Sequence, residues 1–310
     1  MTFYQHRLGI GMLGPSGQYS TTGTISEIAI RKLIEAKFDY IDTASVYGPQ
    51  KHAANIKLGD AISLLQCHPN IVNKVGADLM EDESSEATEI LNEDHNRSFS
   101  DLRIDRLDAV LLHRPRIELI ERDIPFLKRL RKDPRVSAIG ICTNSLQVYQ
   151  CYQKAVGIDI LQIAVNLLDY RANRDILSIA KDDGTHVQAR SVLSSGLLTG
   201  KYHEDSRFHD SIRVRYKQNG KNLSIFKERL KKVYEIENYF RKNSQTLGGK
   251  FRSFGYRAIL CNPFINSIIL GGSTADQITE NINEIKLPIP NSKHHEILEL
   301  SNSTWHAPYL

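Results

Sequence analysis

The chain has 310 residues, of which 41% are apolar and 25% are charged, proportions close to those of ordinary globular proteins. That length permits one barrel-sized domain or two smaller ones, and no apolar run approaches the roughly 18 residues that a membrane helix needs. The net charge of +4 is mild and the basic residues are scattered, so nucleic acid is a poor candidate partner.

The cysteines and the start of the chain indicate the compartment. Cys67, Cys142, Cys151 and Cys261 form no C-x-x-C pair and no metal-ligand spacing with histidine, so they read as reduced thiols without a metal. The opening residues MTFYQHRLGIGMLG lack a long apolar segment followed by a small-residue cleavage site. We therefore expect a cytoplasmic protein.

Short β-rich runs alternate with amphipathic stretches along the chain. The predicted strands are RLGIGMLG, FDYID, NIVNKVG, RLDAVLLH, VSAIGI, IDILQIAV, HVQARSV and INSIILGG. Helical patterns span residues 25–37, 53–67, 85–102, 117–133, 145–155, 174–184, 226–242, 251–261 and 274–285. Eight strand-then-helix units favour a single α/β domain over residues 1–310, a closed (β/α)8 TIM barrel. No G-x-G-x-x-G motif opens a helix after the first predicted strand, so an open dinucleotide-binding sheet loses its main support. The long loop after strand 7, residues 194–224, is of a length that is usually functional.

Ionisable side chains end three successive predicted strands. The second strand stops at Asp42, the third at Lys74 and the fourth at His113, and Tyr47 lies in the loop after the second. Taken singly, Asp42 could cap a helix, Tyr47 could pack in a turn and His113 could be a satisfied near-core histidine. Lysine, however, is seldom buried without a partner. Because the carboxyl ends of barrel strands form the active-site face, four such placements favour catalysis.

These four groups fit the reduction of a carbonyl group. A phenol has a pKa near 10, and we expect the ammonium of Lys74 to lower the pKa of Tyr47 toward neutrality. Asp42 can hold Lys74 charged, and His113 can donate a hydrogen bond to a substrate carbonyl oxygen. The set offers a proton donor but no nucleophile and no metal, which indicates hydride transfer from a cofactor.

The segments IDTASVYG, NKVG and LLHRP resemble the three catalytic segments of the aldo-keto reductase superfamily, in the same order. The likeness continues through SAIGICTNS, LQIAVNLL, SSGLLTGKY and ILGGSTADQITENI, and so covers nearly the whole chain. It implies a barrel that uses NADPH, or less often NADH, to reduce aldehydes and ketones. It also implies that Asp42, Tyr47, Lys74 and His113 form the catalytic tetrad, with Tyr47 as the proton donor.

The resemblance further implies a nucleotide site. Gln162 matches the glutamine that holds the carboxamide, and Arg190 stands where an aromatic shelf is common. Cys142-Thr143, or Thr143-Asn144 with a shift of one, replaces the family's Ser-Asn pair, and Lys37 replaces a glycine often seen before the second strand. The implied cofactor residues are Gly11, Met12, Asp42, Thr143, Gln162, Arg190, Ser191, Leu193, Gly196, Leu197, Lys201, Gly271, Ser273, Gln277, Glu280 and Asn281.

The part of the site expected to bind phosphate has two interpretations. Residues 271–274 open the last predicted helix, whose N-terminus attracts phosphate, although an ordinary turn and cap is the alternative. Members of the family committed to NADPH commonly carry Arg or Lys at the position of Ser273. We therefore expect NADPH to be accepted with only a small advantage over NADH.

The substrate pocket is expected around Val46, Tyr47, His113, Arg114, Tyr170 and Trp305, and it would take a small carbonyl compound or a sugar. The tail that carries Trp305 could instead be a disordered end. Two other functions stay open: an aldose dehydrogenase that works oxidatively, and a non-catalytic nucleotide-binding regulatory subunit.

Overall fold

The structure, a computed structural model, describes residues 7–84 and 86–301, without the side chain of Ala172. Eight parallel strands pair in chain order and close into a barrel through the pairing of the first with the last. They are β1 Leu8–Gly11, β2 Tyr40–Ala44, β3 Ile71–Val75, β4 Ala109–His113, β5 Ile139–Cys142, β6 Ile160–Ala164, β7 His186–Arg190 and β8 Ser267–Leu270. The predicted (β/α)8 barrel is confirmed.

Helices surround the barrel and connect its strands. They are α1 Glu27–Glu35, α2 Ala53–Leu65, α3 Glu86–Leu102, α4 Ile120–Leu130, α5 Leu146–Val156, α6 Arg174–Asp182, α7 Gly220–Lys242, α8 Ser244–Leu247, α9 Phe251–Leu260, α10 Ala275–Ile285 and α11 Asn291–Glu299. The side chains of Ser26, Ser145 and Thr274 cap α1, α5 and α10 by accepting a backbone N–H three residues on. Within the described part of the chain, no helix has the length and apolarity to cross a bilayer. The cytoplasmic location stays a prediction.

Several predicted boundaries were wrong. Helix α7 begins at Gly220, six residues before the predicted start at 226, because Asn219 caps it. The loop predicted over 194–224 contains 3₁₀ turns at Ser194–Thr199 and Arg213–Lys217. Helix α11 has no counterpart in the sequence prediction. Strands β2 and β3 continue past Asp42 and Lys74, and only β4 ends on its predicted residue.

The strands divide their side chains between two faces. Tyr40, Val72, Leu111 and Ile160 belong to a buried cluster that is separate from the main core between strands and helices. Because strand side chains alternate between faces, the residues two positions further along share the barrel interior with this cluster. Those residues are Asp42, Lys74, His113 and Gln162. On these four strands the interior is therefore apolar near the strand starts and polar near the strand ends.

A glycine at the start of the barrel makes room for one interior side chain. A Cβ atom at Gly9 would lie 2.3 Å from the ring of Tyr40. The ring therefore occupies the space beside β1, and its hydroxyl donates to Ser267 Oγ at 3.2 Å across the barrel.

A chain of buried polar groups joins β2 and β3 to the helices outside them. Thr43 Oγ1 donates to Asn55 Oδ1 at 2.7 Å, and Asn55 Nδ2 donates to Asn73 Oδ1 at 3.3 Å. Asn73 Nδ2 in turn donates to Ser98 Oγ at 2.8 Å. All four residues are fully buried. The chain fixes α2 and α3 against the two strands that carry Asp42 and Lys74.

Replacing Asn73 with Ala should lower the free energy of unfolding by about 1–3 kcal/mol, because the variant leaves buried polar groups of Asn55 and Ser98 without their partner. Urea unfolding followed by circular dichroism measures the change. The control is Asn283→Ala at an exposed position of α10, which should be nearly neutral. Equal effects of the two substitutions would contradict the role given to the polar chain.

Candidate active site

A buried ion pair lies at the centre of the site. Lys74 is fully buried, and its Nζ donates a short hydrogen bond to Asp42 Oδ1. The second oxygen, Asp42 Oδ2, accepts from Gln162 Nε2 at 2.7 Å. Both oxygens of the carboxylate are thus engaged within the barrel, and Asp42 makes no helix cap: α2 is preceded by His52, without a side-chain cap. The capping explanation for Asp42 was wrong, and the expectation that Lys74 has a partner is confirmed.

Tyr47 stands directly beside this pair. Lys74 Nζ lies 5.1 Å from the centroid of the Tyr47 ring. The tyrosine is held in a tight turn, since its N–H donates to Ala44 O and its carbonyl accepts from Ala54 N. Gly48 permits the turn because its φ is +104°, in the left-handed region that favours glycine.

His113 completes the group at the end of β4. Its ring centroid lies 6.1 Å from that of Tyr47, with the two planes 85° apart. His113 Nδ1 is buried and has no hydrogen-bond partner among the described residues. The four residues of the predicted tetrad therefore lie together at one rim of the barrel.

The pKa shifts of these groups decide their protonation at neutral pH. Burial raises the pKa of Tyr47, and the nearby Lys74 opposes that shift without overcoming it. Burial acts to lower the pKa of Lys74, but attraction to Asp42 and the Tyr47 oxygen raises it overall. Burial, with the positive charges of Lys74 and Arg190, holds the pKa of His113 well below its ordinary value. The predicted net lowering of the Tyr47 pKa was wrong, because the loss of water around the phenol raises the pKa by more than the charge of Lys74 lowers it.

The polar interior continues across β5, β6 and β7. His113, Cys142, Gln162 and Gln188 lie at one level of the strand register. Cys142 Sγ contacts Gln162 Oε1 at 3.6 Å, and Arg190 Nε donates to Cys142 Sγ at 3.1 Å. Gln162 and Arg190, the two predicted nicotinamide contacts, are thus joined through the cysteine thiol.

The segment after β5, residues 143–145, is held in place by hydrogen bonds from its own side chains. Ser145 N donates to Thr143 Oγ1 at 3.1 Å, and Asn144 Nδ2 donates to Ala164 O at 2.9 Å and to Asn173 Oδ1 at 2.8 Å. The amide of Asn144 is therefore used to join β5 to β6, whereas the thiol of Cys142 faces the barrel interior.

The loop after β7 is fixed by a buried arginine. Arg229 on α7 donates through both terminal nitrogens to Asp169 at 2.9 and 2.8 Å, and also to Ser194 Oγ at 2.7 Å. Ser191, Ser194 and Ser195 all have φ near +50°, a region that non-glycine residues rarely adopt. Such strained backbone clusters at functional sites, and this segment carries the predicted residues Ser191, Leu193, Gly196 and Leu197.

Positive charge gathers beyond this loop. Burial lowers the pKa of Lys201, and the neighbouring charges of Arg213 and Arg252 lower it further. Arg213 also crosses to the loop after β1, where its guanidinium lies 4.9 Å from the ring centroid of Tyr19. Both arginines have carboxylate partners: Arg213 pairs with Asp210 at 2.8 Å and Arg252 pairs with Glu280 at 2.6 Å. The sequence reasoning missed Arg213 and Arg252, because no local motif marks them and only the fold brings them beside Lys201.

The start of α10 is held mainly by its own residues. Gln277 Oε1 accepts from Ser273 N at 2.8 Å, and Asn281 Nδ2 donates to Gly271 O at 2.6 Å. A Cβ atom at Gly14 would lie 2.3 Å from Gly272 O, so the loop after β1 passes very close to this turn. Gln277, Asn281 and Glu280 therefore all have partners within the protein.

The remaining predicted residues are distributed around the same rim. Gly11 ends β1, and Met12 is buried, with its N–H donating to Asp42 O at 2.8 Å. Val46, the residue before Tyr47, is half-buried, and Tyr170 is buried. Arg114 is exposed and has a φ of +62°. Trp305 lies outside the described residues.

Comparison with known proteins gives consistent matches. The Aldo/keto reductase family model matches residues 7–302. The chain is 23% identical over 296 residues to a protein named NADH-specific methylglyoxal reductase from Escherichia coli (strain K12), which covers 93% of this chain and 82% of the relative. It is 25% identical over 205 residues to a D-threo-aldose 1-dehydrogenase from Pseudomonas sp, covering 64% of this chain and 57% of that protein.

A solved structure supports the fold. The glycerol dehydrogenase AKR11B4 from Gluconobacter oxydans superposes with a TM-score of 0.75 at 20% identity, covering 95% of this chain and 90% of that one. The family match extends over almost every described residue, and the resemblance read from the catalytic segments is confirmed. The chain belongs to the aldo/keto reductase family and is an oxidoreductase of this nicotinamide-dependent family.

Proposed function

We propose that the protein reduces a small aldehyde, ketone or sugar carbonyl, with Tyr47 donating the proton that the carbonyl oxygen receives. The observation that carries this proposal is the buried Asp42–Lys74 pair, which keeps an ammonium 5.1 Å from the Tyr47 ring centroid. The ammonium stabilises the phenolate that remains after the proton has left. His113, neutral at physiological pH, can hydrogen-bond the substrate oxygen and orient it toward Tyr47.

The residues present fit a nicotinamide dinucleotide. Lys201, Arg213 and Arg252 together form a cationic group suited to phosphates, and Gln162 and Arg190 would hold the nicotinamide end. When bound, the reduced nicotinamide supplies the hydride for the carbonyl carbon. The protein's own contribution is to orient the substrate and to hold the proton at Tyr47 Oη.

The protonation of Tyr47 favours reduction as the working direction. A phenol whose pKa is raised by burial stays protonated at neutral pH and can act as an acid. Alcohol oxidation would need the phenolate as a base, which is abundant only at alkaline pH. The likeness to D-threo-aldose 1-dehydrogenase supports an oxidative sugar dehydrogenase as the second candidate. A cofactor-oxidation assay over a panel of aldehydes, ketones and sugars tests the proposal and also separates an enzyme from a nucleotide-binding subunit.

Tyr47→Phe should lower kcat for carbonyl reduction by about 10²–10⁴-fold, because the substitution removes only the proton donor. Fluorescence titration should show nucleotide binding nearly unchanged. Tyr234→Phe, at an exposed position of α7, is the matched control and should behave like the parent. Substantial carbonyl reduction by the Tyr47→Phe variant would contradict the assignment of Tyr47 as the proton donor.

The pH profile of reduction tests the pKa shifts. Because the pKa of Tyr47 is raised and its protonated form is the active one, kcat should be level through neutral pH and should fall only above about pH 10. Lys74 lowers the pKa of Tyr47, so Lys74→Met should weaken the acid and reduce turnover across the range, without moving the alkaline limb to lower pH. The variant must first be shown to be folded by circular dichroism, since it leaves Asp42 unpaired. Loss of turnover at or below neutral pH, well short of pH 10, would instead show that a group other than Tyr47 is the donor.

Ser273→Arg should tighten NADPH and leave NADH nearly unaffected, because a guanidinium can pair with the 2′-phosphate that only NADPH carries. Fluorescence titration of both nucleotides measures the effect. Asn283→Arg adds the same charge to α10 further from its N-terminus and is the control. Equal tightening of both nucleotides by Ser273→Arg would show that position 273 does not face the 2′ group.

A further inference from the structure

A cavity lies at the end of the barrel opposite to the tetrad. It has a volume of about 680 Å³ and is lined by the residue before β1, the segment between α9 and β8, and the segment after α10. These segments meet where β1 and β8 begin, whereas Tyr47 and His113 lie where strands end. The cavity is therefore separate from the oxidoreductase site. Its volume falls within the range of small-molecule pockets.

The lining of this cavity is basic. Arg7, Arg257 and Lys286 carry positive charges, His294 adds an imidazole, and none of the described lining residues carries a carboxylate. The charge of Glu284 acts on Arg257. Glu284 does not line the cavity, and its carboxylate lies 3.7 Å from Lys250 Nζ. The positive charge of the cavity is thus not neutralised from within its walls.

Two buried donors at this cavity are incompletely satisfied. Arg257 is 2% exposed, and its terminal nitrogens donate to the carbonyls of Leu247 and Gly248 at 2.7 Å, with a weaker contact to Leu287 O at 3.4 Å. Arg257 Nε and Asn262 Nδ2 are buried without a partner in the described parts of the chain. The described hydrogen bonds of this guanidinium all go to neutral carbonyls, and a buried charge held in this way gains from a negative partner.

We infer that this cavity is a binding site for a small organic molecule that carries an oxyanion, either a phosphate or a carboxylate group. Arg7 and Lys286, both exposed, supply charge that a ligand can reach, and the buried Arg257 adds charge behind them. The apolar side chains of Ile265 and Ile289, which also line the cavity, would contact the carbon skeleton of the ligand. The volume exceeds that of an inorganic anion alone, which favours an organic anion.

A cysteine in the cavity wall provides a direct readout. Cys261 lines the cavity, and burial raises the pKa of its thiol while the charges of Arg7 and Arg257 act in the opposite direction. A bound anion would block access to this thiol. Cys67 lies between α2 and β3 and does not line the cavity. It is therefore an internal control in the same molecule.

The experiment measures the rate of alkylation by iodoacetamide, a neutral reagent, at mildly alkaline pH, with mass spectrometry resolving each cysteine. The probes are inorganic phosphate, glycerol 3-phosphate and citrate at millimolar concentrations, with sodium chloride at matched ionic strength. We expect an organic anion to slow alkylation of Cys261 in a saturable manner and to leave Cys67 unchanged. Glycerol 3-phosphate carries no carboxylate and citrate carries no phosphate, so comparison of the two separates the phosphate from the carboxylate chemistry.

Variants test whether the cavity's charges hold the anion. Lys286→Ala should lower the affinity for the protecting anion by about tenfold, as expected for the loss of one charge-assisted contact. Lys128→Ala, which removes an exposed lysine from α4, should leave the protection unchanged. Arg257→Met should abolish protection, and if that variant does not fold, Arg7→Gln together with Lys286→Ala gives the same test. Absence of protection by every probe, protection equal to that by chloride, or equal affinity in Lys286→Ala would overturn the inference.

Discussion

The charge of Lys74 constrains the whole site, because an ammonium fully buried inside a barrel must have a partner there. Asp42 on the neighbouring strand provides that partner, and Gln162, from the other side of the barrel, holds the second carboxylate oxygen. Removing either charge would leave the other uncompensated, at a cost of about 3–5 kcal/mol. The pair is therefore required by the barrel interior, and it also provides the positive charge beside Tyr47.

Because strand side chains alternate between the two faces of the sheet, this pair lies with other polar groups at one end of the barrel interior. The interior is filled by Tyr40, Val72, Leu111 and Ile160 near the strand starts, and the next interior position on each of these strands is polar. The loop after β7 then adds Lys201 and Arg213 at the same rim, and α9 adds Arg252. Arg229 anchors this loop through Asp169. The opposite end of the barrel also carries cations, but around a separate cavity. One fold thus presents two basic surfaces, of which only one adjoins a proton donor.

The sequence predicted the barrel because buried runs and amphipathic stretches alternate eight times, and it predicted the tetrad because charged residues follow such runs. It could not give the net pKa shift of Tyr47, since the effect of Lys74 is local but the loss of water depends on the packing of the whole rim. It could not find Arg213 or Arg252, which approach Lys201 only in three dimensions. It also placed the start of α7 too late, because the cap at Asn219 lies among polar residues that show no apolar periodicity.

The central claim is that Lys74 remains an ammonium inside the barrel, beside a protonated phenol. Nitrogen-15 NMR of the folded protein, with labelled lysine Nζ and the Lys74→Met variant used to assign the resonance, measures that charge as the pH is raised. Because Asp42 raises the pKa of Lys74, the resonance should keep its charged chemical shift beyond the ordinary lysine value of about 10.4. Loss of the proton well below that value would show that the pair does not hold the charge, and would contradict the account.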